Sequence, residues 1–155
     1  MMDFQDEFAL FQNVEESMRE IKKIIVHCSG TSLGVTPKEI RDYHVNVLGW
    51  SDCGYHFIIT PDGGLHNMRP LSQVGAHCKG HNSDSVGICL IGGKDDFDFT
   101  WKQLRSLSSI VFDLIMANKL SYDDVYSHHD FNPSKACPCF NARLVLKNIH
   151  HYGTF

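Results

Sequence analysis

Three places in the sequence concentrate side chains able to ligate a transition metal: His27, the pair His128-His129, and Cys137. The histidines end strand-like runs, and the cysteine follows in the loop NPSKACP, a segment bracketed by prolines. Strand ends are where a sheet presents side chains to a ligand while the strand body stays buried. Zinc accepts imidazole nitrogen and thiolate sulfur, and a catalytic zinc keeps three protein ligands and a fourth position for water. Two imidazoles and one thiolate meet that requirement. If residues 128–129 are extended, their side chains point to opposite faces and only one reaches the metal. Residue type alone leaves simpler readings open. A strand-end histidine also serves as a hydrogen-bonded rim residue, and a partly buried cysteine as a small hydrophobe. Tyr55 and Lys135 are ordinary in isolation, since strand tyrosines pack and loop lysines face water. Beside a metal they become hydrogen-bond donors for an oxyanion.

The elements that position these residues are readable from periodicity. KKIIVHCS is a short apolar run rich in β-branched residues and reads as a buried strand ending near His27. Thr36-Pro37-Lys38-Glu39 is a helix start, with an N-cap, proline at the first helical position and a capping-box glutamate. Ile40, Tyr43 and Val47 are expected on the inner face of that helix, with Gly49 stopping it. Residues 54–60 read as a second strand, Pro61-Asp62-Gly63-Gly64 as a turn, and a short third strand follows around Leu65. Ser85 to Ile91 is another buried strand closed by Gly92-Gly93. Thr100-Trp101-Lys102-Gln103 is a second capping box, opening an amphipathic helix marked by Trp101, Leu104, Leu107, Val111, Leu114 and Ile115. DVYSHHD is expected to be extended, and residues 140–150 helical. At the N-terminus, Phe4, Phe8, Phe11, Val14, Met18 and Ile21 share one helical face. Strands and helices alternate, so the fold class is α/β: one domain with a central mixed sheet, flanking helices and the metal-competent residues at the strand ends.

Bulk properties narrow the function. At 155 residues the chain suits a single domain, and 43% hydrophobic with 21% charged residues is globular composition. The formal charge is −4 and no basic block occurs, which argues against nucleic-acid binding. The longest apolar run, IVFDLIM, is interrupted by Asp113, so no membrane span is expected. The start, MMDFQDEF, is acidic where a secretory signal is basic and then apolar, which points to residence in the cytoplasm of the producing cell. The six cysteines are then expected as free thiols. None has C-x-x-C spacing, so a metal site must be assembled from distant segments.

Four segments together carry a family resemblance: VHCS (26–29), GWSDCGYHFII (49–59), VGAHCKGHNSDSVGICLIGG (74–93) and SHHDFNPSKACP (127–138). They resemble the type-2 N-acetylmuramoyl-L-alanine amidases, most nearly the small lysozymes of T-odd bacteriophages, with animal peptidoglycan recognition proteins as more distant relatives. The resemblance runs in order from about residue 22 to 149. It implies one Zn2+ held by His27, His128 and Cys137. Tyr55 is then the residue supporting the attacking water, Lys135 the transition-state stabiliser, and His77 a residue of the substrate-facing loop. The implied reaction is hydrolysis of the amide between N-acetylmuramic acid and L-alanine in peptidoglycan, by an endolysin that reaches the wall after release.

Two positions depart from the pattern. The interval from His128 to Lys135 is one residue longer than in the phage relatives, and Cys139 offers a rival thiolate two positions beyond Cys137. Residues 1–21 are expected as an N-terminal helical extension and 22–155 as the catalytic domain, acting as a monomer. Some lysozymes of this kind also restrain a phage RNA polymerase, so that partner is a further expectation of the resemblance. Rival readings are a peptidoglycan-binding module without activity and a cysteine peptidase using Cys137 with His128. Against the latter, a nucleophilic cysteine usually begins a helix, whereas Cys137 is followed by Pro138.

Overall fold

The computed structural model describes residues 19–153. Five strands form one mixed sheet in the order β3-β2-β4-β1-β5: β1 (Lys23–Cys28), β2 (Phe57–Ile59), β3 (Leu65–Asn67), β4 (Ser85–Leu90) and β5 (Val125–Ser127). The pairs β1–β4, β1–β5 and β2–β4 are parallel, while β2–β3 is an antiparallel hairpin across the Pro61–Gly64 turn. The central strands β1 and β4 are buried along nearly their whole length, which is why they read as continuous apolar runs rather than alternating ones.

The larger core lies on one sheet face, where Val26, Phe57, Ile88 and Leu90 meet α2 (Trp101–Asn118) and α4 (Ala142–Tyr152). Leu104, Leu107, Val111 and Leu114 of α2 are at most 1% exposed, each contributing about 1.5–3 kcal/mol over an exposed position. The α2 capping box is complete, with Thr100 Oγ1 accepting the Gln103 N–H and the Gln103 side chain accepting the Thr100 N–H. Gln103 also donates from Nε2 to the Ile59 and Ile91 carbonyls, tying the helix start to the ends of β2 and β4. Trp101, at the margin of the apolar stripe, is 55% exposed rather than inward-facing.

A smaller cluster covers the other face around Ile40, Cys53, Ile58, Cys89 and Ile91. Helix α1 (Pro37–Asp42) starts at its Thr36 cap as expected, but Tyr43–Val47 continue as a π-helical turn. The Leu48 N–H reaches back to the Tyr43 carbonyl, and this wider turn shifts the angular phase. His44, four residues after Ile40, faces inward with it, while Tyr43 and Val47, expected inside, are 53% and 67% exposed. Gly49, at φ 76°, ends the segment.

The extended reading of residues 128–129 is corrected: β5 stops at Ser127, and His128–Phe131 form a single helical turn, α3. Asp130 accepts the Ser127 N–H and closes that turn. The N-terminal helix expected over residues 1–21 falls outside the described residues except at its end, where residues 19–21 are not helical and Ile21 enters the core. All six cysteines are free thiols. Among the described residues, no helix is long and apolar enough to cross a membrane.

Candidate metal centre

The parallel register between β1 and β5 assembles the site. Val26 pairs with Ser127, so the next residues, His27 and His128, emerge side by side at the carboxyl ends of neighbouring strands. Their rings lie 4.5 Å apart between centroids. Carboxyl ends of parallel strands are where an open α/β sheet gathers ligands. The third member, Cys137, is brought in by its loop, whose Cys137 carbonyl accepts the His129 N–H and whose Sγ accepts the Cys28 N–H at 3.0 Å. The ligand atoms of His27, His128 and Cys137 all lie within 4.8 Å of one another.

The electrostatics suit a metal. Burial first, then the neighbouring His77 and His128, hold His27 well below its ordinary value. Burial, then Lys135, lower His128. Both imidazoles are therefore neutral near pH 7, with a lone pair to give, as ligation requires. The Cys28 thiol is pushed up, chiefly by its hydrogen bond with Cys137 and by burial, so Cys28 stays a protonated neighbour of the Cys137 sulfur. Two neutral imidazoles and a sulfur receiving an N–H form a donor set that fits zinc.

The rival side chains point elsewhere. His129 is exposed and its Nδ1 sits 2.6 Å from the Lys135 carbonyl. It turns away because successive residues of α3 are offset around a helical turn, not because they alternate along a strand. Cys139, at φ 74°, directs its Sγ toward the Gly93 carbonyl.

Tyr55 lies beside His27, with ring centroids 5.3 Å apart. Burial, reinforced by Cys89 and Cys137, holds its phenol well above its ordinary value, so the hydroxyl remains a donor through the neutral range. Lys135 and His128 line a groove of about 590 Å³ with Trp50, His77, Lys79 and Asn82. A cleft of about 680 Å³ between residues 33–38 and the β2–β3 turn contains none of His27, Tyr55, His77, His128, Lys135 and Cys137. His77 reaches the groove wall but is only 8% exposed, and both its ring nitrogens are engaged, Nδ1 with His27 and Nε2 with Ser85.

Sequence reasoning did not single out Ser85, the Cys28 N–H or His44, whose Nδ1 accepts the Gly54 N–H directly before Tyr55. Ser85 had no signal, being one small residue in an apolar strand. His44 shares the helical face of Ile40 but is polar, so a search for apolar spacing passed over it.

The family model described as N-acetylmuramoyl-L-alanine amidase matches residues 17–140. The chain belongs to that amidase family. The amidase is 42% identical over 134 residues to the endolysin of Klebsiella phage KP32, covering 81% of this chain and 85% of that protein. It is 45% identical over 127 residues to the endolysin of Enterobacteria phage T3, covering 77% and 82%. Among solved structures, the N-acetylmuramoyl-L-alanine amidase endolysin LysCS from Clostridium intestinale superposes with a TM-score of 0.72 at 30% identity, covering 79% of the amidase and 78% of that chain.

Proposed function

We propose that this amidase is a phage endolysin that hydrolyses the amide joining N-acetylmuramic acid to L-alanine in peptidoglycan, with zinc held by His27, His128 and Cys137. The observation carrying this reading is the convergence of those three ligand atoms within 4.8 Å of one another, beside a groove bordered by Lys135. Zinc, when bound, supplies a Lewis acid that polarises a carbonyl and brings the pKa of water toward about 7.

The chain's own residues do the rest. The Tyr55 hydroxyl and the Lys135 ammonium donate hydrogen bonds to the oxyanion that develops at the lactyl carbonyl, where preorganised donors act most strongly. The groove walls formed by Trp50, Lys79 and Asn82 hold the stem peptide, with His77 at its floor. Two basic side chains in that wall, Lys79 and Lys135, suit the carboxylates of a stem peptide. The enzyme reaches this substrate after release to the wall.

The test is a time course of amine release from purified sacculi, run with the zinc-loaded enzyme, after exhaustive chelation, and after zinc is returned. Release is expected to stop on chelation and to resume with zinc. Zinc-loaded enzyme that binds sacculi without releasing amine would mark a recognition module instead. Activity that survives complete zinc removal would refute the metal mechanism.

A further inference from the structure

Behind His27 runs a buried hydrogen-bonded chain whose middle member, His77, touches the groove floor but whose bonds to His27 and Ser85 the reaction above does not use. His27 Nε2 lies 2.8 Å from His77 Nδ1, and His77 Nε2 lies 3.1 Å from Ser85 Oγ. All three residues are buried: His27 is 1%, His77 8% and Ser85 0% exposed. The His77 ring sits in a slot that only glycines leave open. A Cβ at Gly87 would overlap the ring, and one at Gly75 would fall 2.8 Å from its Cδ2. The backbone carrying His77 is pinned as well, since Asn82 Oδ1 accepts the N–H groups of both His77 and Cys78 at 2.9 Å.

We infer that His77 and Ser85 are positioning residues that select the tautomer of His27. With Nε2 committed to His77, the nitrogen left to His27 for a metal is Nδ1. Nδ1 ligates only when it carries no proton, so the ring proton must sit on Nε2 and be donated to His77 Nδ1. His77 then accepts there, carries its own proton on Nε2, and donates it to Ser85 Oγ. The Ser85 hydroxyl, able to accept there, ends the series, so two imidazoles are held in the one orientation that presents a lone pair at the site. Metal-bound histidines commonly donate their second N–H to a fixed acceptor, and losing that acceptor costs about 10–100-fold in metal affinity. This inference rests on the zinc reading above and deepens it.

The test measures zinc affinity by competition with a chromophoric chelator, together with long-range proton–nitrogen spectra of the imidazoles in the zinc-loaded protein. In the wild type, His27 is expected to show a protonated Nε2 and a metal-bound Nδ1. His77→Phe keeps a ring in the slot but removes the acceptor, and zinc affinity is expected to fall about 10–100-fold. His77→Asn returns an acceptor near the position of Nδ1 and should recover most of that loss, whereas a purely space-filling role predicts no rescue. Ser85→Ala should weaken zinc less than His77→Phe, because His77 keeps its place but loses the partner that fixes its tautomer. A His27 that ligates through Nε2, or a folded His77→Phe with wild-type affinity, overturns the relay. Should His77→Phe not fold, the wild-type tautomer and the Ser85→Ala affinity decide. Wild-type protein that takes up no zinc overturns the metal centre itself, and so separates the two failures.

Discussion

His56 makes the packing behind the site measurable through pH. Its ring is 1% exposed; Nδ1 accepts the Gly87 N–H at 3.1 Å and Nε2 donates to the Gln73 carbonyl at 2.8 Å. Burial, only partly opposed by the Gln73 hydrogen bond, lowers it from 6.5 to about 4. Above pH 6.5 His56 is neutral in folded and unfolded chains alike and contributes no pH dependence. As pH falls from 6.5 toward 4, the unfolded chain takes a proton that the folded one refuses, so stability is lost across that window and levels off below it. At about 1.4 kcal/mol per pH unit, the loss attributable to this group is roughly 3 kcal/mol. His56→Gln retains hydrogen-bonding capacity but cannot titrate. Urea denaturation of both proteins from pH 7.5 to 4 should show the variant less stable at the top of the range and converging on wild type as the pH falls. Zinc loss and the other histidines are common to both and largely cancel in the difference. Parallel stability profiles would show that His56 does not refuse the proton, and would refute the reasoning.

Two further outcomes test the assignments within the site. His27→Ala, His128→Ala and Cys137→Ser should lose stoichiometric zinc by elemental analysis and all amidase activity, while His129→Ala and Cys139→Ser keep the metal; the reverse pattern within either pair would displace the ligand set. Tyr55→Phe and Lys135→Ala should keep zinc, fold and sacculus binding, yet lose roughly 10²–10³ in turnover, as expected of donors that act on transition-state charge. Full activity in both would remove those roles and leave the metal centre standing.

What the sequence determined by itself was whatever depends on near neighbours. The buried strands at residues 23–28 and 85–90, the Thr36 and Thr100 caps, the turn at residues 61–64 and the alternation that makes an α/β domain are all local patterns of apolar period, cap chemistry and turn residues. The shortlist of ligands was likewise a matter of residue type. Local pattern failed first at residues 43–47, where the polar His44 rather than Tyr43 shares the buried face of Ile40 and a wider backbone turn carries Val47 off it, a change apolar spacing does not reveal. It failed again after Ser127, where strand and helical turn both carry His128 and His129 on different sides, so the expected outcome rested on a geometry the chain does not adopt. The remaining features depend on contacts between distant segments. The pairing of Val26 with Ser127 set His27 beside His128, and the bond from the Cys28 N–H drew in Cys137. The closeness of β4 to the 75–78 loop gave His77 its slot against Gly87 and its partner in Ser85. These contacts join segments far apart along the chain, and their register is chosen by which faces of the sheet must be buried together, a condition no single segment contains.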